Sequence, residues 1–213
     1  MRKQWMKKVW TLLLSVLVLL TLCACGPREE MVAEEKPVIY LYPETETRVT
    51  VKLDLSGELT CTYPAYDGGW TVTAAPDGTL TDEHGQTYNY LYWEGEGTEA
   101  YDFSKGFCVA GSDTAAFLED ALDRLGLTRR EANEFLVYWL PRMQDNPYNL
   151  IAFQQEAYTE SAKLTVSPQP DSVLRVFMAW KPLARPVDVP AQTLPGCERR
   201  GFALVEWGGA EVR

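Results

Sequence analysis

The chain has 213 residues, 20 of them basic and 30 acidic, for a net charge of −10. So acidic a surface repels phosphate backbones and anionic headgroups, which argues against nucleic acid as a partner and against adhesion to a lipid surface by charge. With one histidine, His84, and no C-x-x-C spacing, the usual zinc sites are excluded, and neither metal nor cofactor is expected.

In chain order, the first element is an export signal. Arg2, Lys3, Lys7 and Lys8 precede an uncharged run from Val9 to Ala24. At about 16 residues that run is short of the roughly 20 a spanning helix needs. A basic start, a short apolar core and a small residue at the cut mark residues 1–24 as a secretory signal peptide. Its end, Leu22-Cys23-Ala24-Cys25-Gly26, resembles the lipobox of bacterial lipoproteins. The resemblance implies cleavage after Ala24, a diacylglyceryl group on Cys25 and a place on the extracytoplasmic face of the cell membrane. Two acyl chains hold a protein there stably. Cleavage before Cys23 would have to follow Leu22, which is not a small residue. Residues 25–36 are polar, charged and without hydrophobic period, a flexible tether. Residues 37–213 have the size of one domain. Once the signal is removed, 16 basic residues stand against 30 acidic ones. Cys61, Cys108 and Cys197 allow one disulfide at most.

The first half of the domain is written in strand and turn. "VIYLY" (Val38 to Tyr42) is stopped by Pro43, and "TRVTVKLDLSG" alternates, with Val49, Val51, Leu53 and Leu55 on one face. "ELTCTY" follows after Ser56-Gly57, which predicts a hairpin. Pro76-Asp77-Gly78 and His84-Gly85 supply further turns in a meander of five or six strands ending in "QTYNYLYWEG". His84 itself reads as a solvated turn residue.

The period then changes to 3.6. A helix capped by Ser112 or Asp113 presents Phe117, Leu118, Ala121, Leu122 and Leu125, and Gly126 ends it. Thr128 and Glu131 form a capping box for a second helix with Ala132, Phe135, Leu136, Trp139 and Leu140 on its buried stripe. Pro141 is expected to end or kink it, and "DNPYN" (Asp145 to Asn149) reads as the turn that follows. Strands return in "NLIAFQ", "AKLTVSP", "SVLRVFMAW" and, after a Pro-rich connection, "GFALVEW". The prediction is an α+β domain: a mainly antiparallel β-sheet with an inserted αα-hairpin packed on one face.

The stretches "KPVIYLYPE", "LTCTYPAYDGGW", "YNYLYWEG", "NEFLVYWLPRMQDNPYNLI" and "VEWGG" are similar to a family of uncharacterised bacterial lipoproteins and secreted proteins, over nearly the whole mature domain. The resemblance implies one compact domain on a lipid tether. It brings no activity and no catalytic residue.

Candidate chemistry rests on acids beside aromatics. "YLYPE" (Tyr40 to Glu44) and "YLYWE" (Tyr90 to Glu94) read alike. Alternation places Tyr88, Tyr90, Tyr92 and Glu94 on one face, with Phe202, Leu204 and Glu206 sharing a face of the last strand and Trp207 on its other. Tyr92, Trp93, Glu94, Glu206 and Trp207 are therefore the candidate ligand-binding residues. Glu94 with Glu206 or Glu44 would be the carboxylate pair of a glycan hydrolase. The plainer role, and the more common one, is that acids mark strand ends and tyrosines pack at a half-buried boundary. The reading is a lipid-anchored module at the cell envelope that binds a carbohydrate, a peptide or an envelope protein, with the hydrolase as alternative.

Overall fold

The computed structural model describes residues 32–97, 100–154 and 156–212; the signal peptide and Cys25 lie outside them. In chain order the strands are β1 (Val32–Tyr42), β2 (Thr47–Leu55), β3 (Gly57–Tyr63), β4 (Trp70–Ala74), β5 (Leu80–Thr81), β6 (Thr87–Tyr88), β7 (Leu91–Gly97) and β8 (Phe107–Ala110). The helices α1 (Thr114–Leu125) and α2 (Arg129–Met143) follow, then β9 (Tyr148–Gln154), α3 (Glu156–Ser161), β10 (Ala162–Ser167), β11 (Ser172–Leu183) and β12 (Ala203–Glu211). The class is α+β with mostly antiparallel sheets, and the strands form two of them. One runs β3-β7-β1-β12-β11-β9-β8, the other β10-β2-β4-β5-β6. Among the described strands only β11 and β12 pair in parallel. The Pro-rich segment between them lies along β9 and β8, where Gln192 bonds both the N–H and the carbonyl of Phe153.

The two sheets enclose one core. Ile39, Leu41, Leu91, Trp93, Phe177 and Leu204 of the larger sheet meet Val49, Val51, Trp70, Val72 and Leu80 of the smaller. The other face of the larger sheet carries a second core: Val38, Tyr40, Ile151, Met178, Val205 and Trp207 pack with Leu118, Leu122, Phe135 and Trp139 of α1 and α2. Central strands of the large sheet are thus buried on both faces, and β12 is buried from Ala203 through Ala210. A strand with one wet face behaves otherwise: β2 alternates, with Val49, Val51 and Leu53 inward.

Several expectations change here. β1 begins at Val32, so residues 32–36, read as tether, are strand. The expected β2–β3 hairpin does not form: at Ser56, whose N–H donates to Ser161 O, the chain crosses from the smaller sheet to the edge of the larger. Tyr88 lies in the smaller sheet, so it does not share a face with Tyr92. No side chain caps α1; a 3₁₀ turn over Gly111–Asp113 leads into it, and Thr114 Oγ1 donates to Ala110 O. Pro141 sits inside the last turn of α2 without ending it. The carbonyl it leaves without a donor belongs to Val137, which is exposed to water. The short helix α3 had no sequence signal strong enough to be read.

Local signals at the two longer helices work as their chemistry dictates. Gly126 closes α1 at φ 103°, and Thr128 with Glu131 makes the capping box of α2. Glu131 does more than cap. Fully buried, it accepts from Thr128 N (2.8 Å), from the Tyr42 hydroxyl (2.8 Å) and from both terminal nitrogens of Arg199, whose Nη2 also donates to Gly126 O. Tyr40 donates to Glu134 (2.7 Å) in the next turn. The two tyrosines of "YLYPE" are therefore ties between β1 and α2, and Glu44 points to solvent.

The glycines of "VEWGG" have a packing reason. A Cβ on Gly209 would come within 2.6 Å of Met178 O and 2.7 Å of Trp139 Cζ2, so the indole of α2 needs a bare strand beneath it.

Burial pushes the Glu131 carboxyl up, but the Arg199 and Thr128 hydrogen bonds outweigh it and hold the group below its usual range. A carboxyl with a depressed folded-state pKa contributes stability that is fully present above its unfolded value of about 4.3 and is lost as pH falls through the folded value. Glu131→Gln should lower the melting temperature at pH 7, and the gap between variant and wild type should close as pH falls from about 5 to 3. A gap independent of pH would show that the charge is not what matters.

Candidate functional site

The predicted residues lie on β7 and β12, two strands separated by β1. The register is direct: Val38 pairs with both Tyr92 and Trp207, and Ile39 pairs with both Leu91 and Glu206. Trp207 and Tyr92 therefore face the helices, as does Glu94, two residues on from Tyr92. Trp93 and Glu206 face the smaller sheet, and Trp93 Nε1 donates to Glu206 Oε1 (3.2 Å). Glu94 and Glu206 thus project from opposite faces of one sheet. A glycosidase needs its two carboxylates about 5–10 Å apart across an open cleft, and this pair cannot provide that. Trp93, Glu206 and Trp207 each have 0 % exposed surface, so none of them can stack on or hydrogen-bond a ligand from solvent. Glu44, the other partner considered, stands exposed after the end of β1.

Glu206 is held by a structural arrangement instead. Its second oxygen accepts from Arg175 Nε, whose guanidinium lies 4.6 Å over the Tyr158 ring; that ring stacks on Phe177 at 4.1 Å. Charge, ring and indole are enclosed between the sheets. On the helix side, Glu94 lies beside the Tyr92 hydroxyl, and burial first and then this carboxylate push the phenol up. Lys36 projects toward the same region from a bulge in β1, at φ 59°, with its ammonium 5.3, 5.5 and 5.7 Å from the Tyr90, Tyr92 and Tyr138 rings. Tyr138 in turn donates to Glu35. Tyr92 and Glu94 are therefore half-buried members of a charge and ring cluster that fixes α2 to β1.

An open site occurs elsewhere, at the end of the sheets where β6 leads into β7. A cavity of about 390 Å³ is lined by Tyr63, Thr79, Thr87, Tyr88, Asn89 and Tyr90. Tyr63 is 60 % exposed, and its ring meets Tyr88 edge-on at 5.4 Å. Two of the three rings are fixed from behind: the Tyr88 hydroxyl donates to Asp82 (2.9 Å), and Tyr90 packs edge-on against Tyr40 at 5.3 Å. The lining holds aromatic faces, two threonine hydroxyls and a carboxamide, with no charge. Sequence reasoning missed it because "YNYLY" reads as one strand, whereas the chain leaves the smaller sheet at Tyr88 and enters the larger at Leu91. Asn89, a poor strand residue between two tyrosines, was the available signal.

Cys61, Cys108 and Cys197 are all free thiols. The His84 side chain is solvated, within 3.7 Å of Glu83. Among the described residues no group of three His, Cys, Asp or Glu could hold a metal ion, and no helix is long and apolar enough to cross a membrane.

The enclosed ion pair generates a test. Removing one partner of a buried pair leaves an uncompensated charge, at a cost of about 3–5 kcal/mol. Glu206→Gln should lose that much in urea denaturation, while Arg175→Met combined with Glu206→Leu should lose less than Glu206→Gln alone. Equal losses would place the energy in packing rather than charge.

No protein-family model matches the chain, and no solved structure matches it. It is 47 % identical over 77 residues, covering 35 % of this chain and 79 % of the relative, to an uncharacterized protein in the bglA 3′ region of Butyrivibrio fibrisolvens. At that identity and coverage, the chain belongs to the same family as this uncharacterized bglA 3′-region protein.

Proposed function

We propose that the protein is a lipid-anchored binding module on the extracytoplasmic face of the cell membrane, and that it binds carbohydrate in the tyrosine cavity. The observation that carries this is the lining: Tyr63, Tyr88 and Tyr90 around Thr79, Thr87 and Asn89, without a charged group. Sugar rings offer apolar C–H faces that stack on aromatic rings, and hydroxyls that exchange hydrogen bonds with hydroxyl and amide side chains. A peptide ligand would in addition need partners for its backbone or charges, and this lining offers few. The lipobox at Cys25 and the basic, apolar leader before it support the anchor.

In this reading the two longer helices act as an αα-hairpin packed on one face of the larger sheet, a buttress rather than a site. β1 begins at Val32, next to the tether, and runs 11 residues to Tyr42.

Two experiments test the parts separately. Cys25→Ser should move the protein from the membrane fraction to the soluble extracytoplasmic fraction; unchanged fractionation sinks the anchor. On a glycan array, wild type should bind and Tyr63→Ala or Tyr90→Ala should lose about tenfold or more, since stacked aromatic contacts are worth on the order of 1 kcal/mol beyond the area they bury. Trp93→Phe, a core change, should leave affinity for the same glycans unaltered. Glycan binding insensitive to both tyrosines would place the site elsewhere.

A further inference from the structure

A second cavity, of about 420 Å³, adjoins the first. Its lining includes Tyr42, Asp77, Thr128, Arg130, Arg199 and Arg200. The two cavities share the turn between β4 and β5: Asp77 lines one and Thr79 the other, and Thr79 N donates to Asp77 Oδ1 (2.9 Å). Gly78 between them, at φ 88°, lies flat against Tyr42; a Cβ there would approach the ring to 2.6 Å. Tyrosines join the cavities from beneath as well, since Tyr40 packs edge-on to Tyr90 of the first and stacks on Tyr42 of the second, 6.1 Å away.

The charge is what distinguishes the second cavity. In a chain where acids outnumber bases by 30 to 20, three arginines line one small space against a single carboxylate, Asp77. Arg199 is fixed by Glu131 and Gly126 O and holds the wall. Arg200 and Arg130 are held by surface pairs alone. Arg200 pairs with Glu198, where both side chains are about three-quarters exposed, and Arg130 stands 3.8 Å from Glu134. Pairs at the surface contribute little, so an anion in the cavity can recruit either guanidinium at little cost. Guanidinium groups hold carboxylate and phosphate through paired, charge-assisted hydrogen bonds.

Resting on the carbohydrate reading above, we infer that the ligand is an anionic glycan: a sugar stacked in the tyrosine cavity whose carboxylate or phosphate group reaches the arginines of the second. The shared chemistry is a sugar ring bearing an anionic oxygen group.

The test uses the full lipoprotein in detergent, with two matched pairs of probes: oligogalacturonate against its methyl ester, and mannose 6-phosphate against mannose. The expected result is at least about tenfold tighter binding of the charged member of one pair, weakening as salt rises from about 50 to 300 mM. The pair that shows it tells carboxylate from phosphate. Arg130→Gln combined with Arg200→Gln should abolish the preference and leave the uncharged member's affinity unchanged. Equal affinity for charged and uncharged members overturns the inference while the carbohydrate reading stands, and so does a charge preference that survives the double variant. Absence of binding to every probe overturns the inference, and absence of binding on a broader glycan array as well overturns the carbohydrate reading with it.

Discussion

The larger sheet has to bury both of its faces, and most other features follow from that. One face meets the smaller sheet and the other meets α1 and α2. A strand in such a place cannot alternate apolar and polar residues, because both sets are core. Hence β9 is buried from Asn149 to Gln154 and β12 from Ala203 to Ala210. Polar groups in these strands must bring their own partners or incur the full cost of desolvation. Glu206 has Arg175 and Trp93; Asn149 donates to Thr114 Oγ1 and Met143 O. The Asn149 contacts tie β9 to both longer helices and so set register between layers, while those of Glu206 tie β12 to β11 and β7 within the sheet.

Tyrosine carries much of this work on the helix side. Tyr40, Tyr42 and Tyr138 bury a ring in the second core and place a hydroxyl on Glu134, Glu131 and Glu35 respectively. The carboxylates of Glu134 and Glu35 are thereby held at the half-buried edges of α2 and β1, while that of Glu131 is buried and paired with Arg199. Burial first, and then the neighbouring carboxylates, push all three phenols up, so they stay protonated donors across the physiological range. A side chain with an apolar body and a dependable donor suits a seam between a helix and a sheet better than phenylalanine or serine.

How much of this was legible depends on how far apart in sequence the determinants lie. The end of α1 at Gly126 and the start of α2 at Thr128 are set by residues within one turn, and the spacing alone locates them. The alternation of β2 is equally local. The crossing at Ser56 is not, since it depends on β10, more than 100 residues on, taking the place beside β2 that β3 would have filled in a hairpin. The candidate site failed for the same reason. Trp93-Glu94 and Glu206-Trp207 look like strand ends reaching solvent, and that inference assumes one wet face. With two buried faces, adjacent Trp and Glu side chains enter two different interiors. Glu206 is tolerated in its interior only because Arg175 approaches from 31 residues away.

Where the two sheets diverge, the same rule works in reverse. At Asn89 the chain passes from one sheet to the other, and Tyr88 and Tyr90 on either side keep open faces while Asp82 holds the hydroxyl of the first and Tyr40 packs on the second; Tyr63, at the end of β3, meets the Tyr88 ring edge-on. The turn between β4 and β5 is seated on Tyr42, and Tyr42 is bonded to Glu131 at the start of α2. The rings of the first cavity and the arginines of the second therefore rest on one chain of contacts through β1. A ligand that spans both would find the rings and Arg199 already placed by the fold, and the ordering entropy it loses would fall on Arg130 and Arg200.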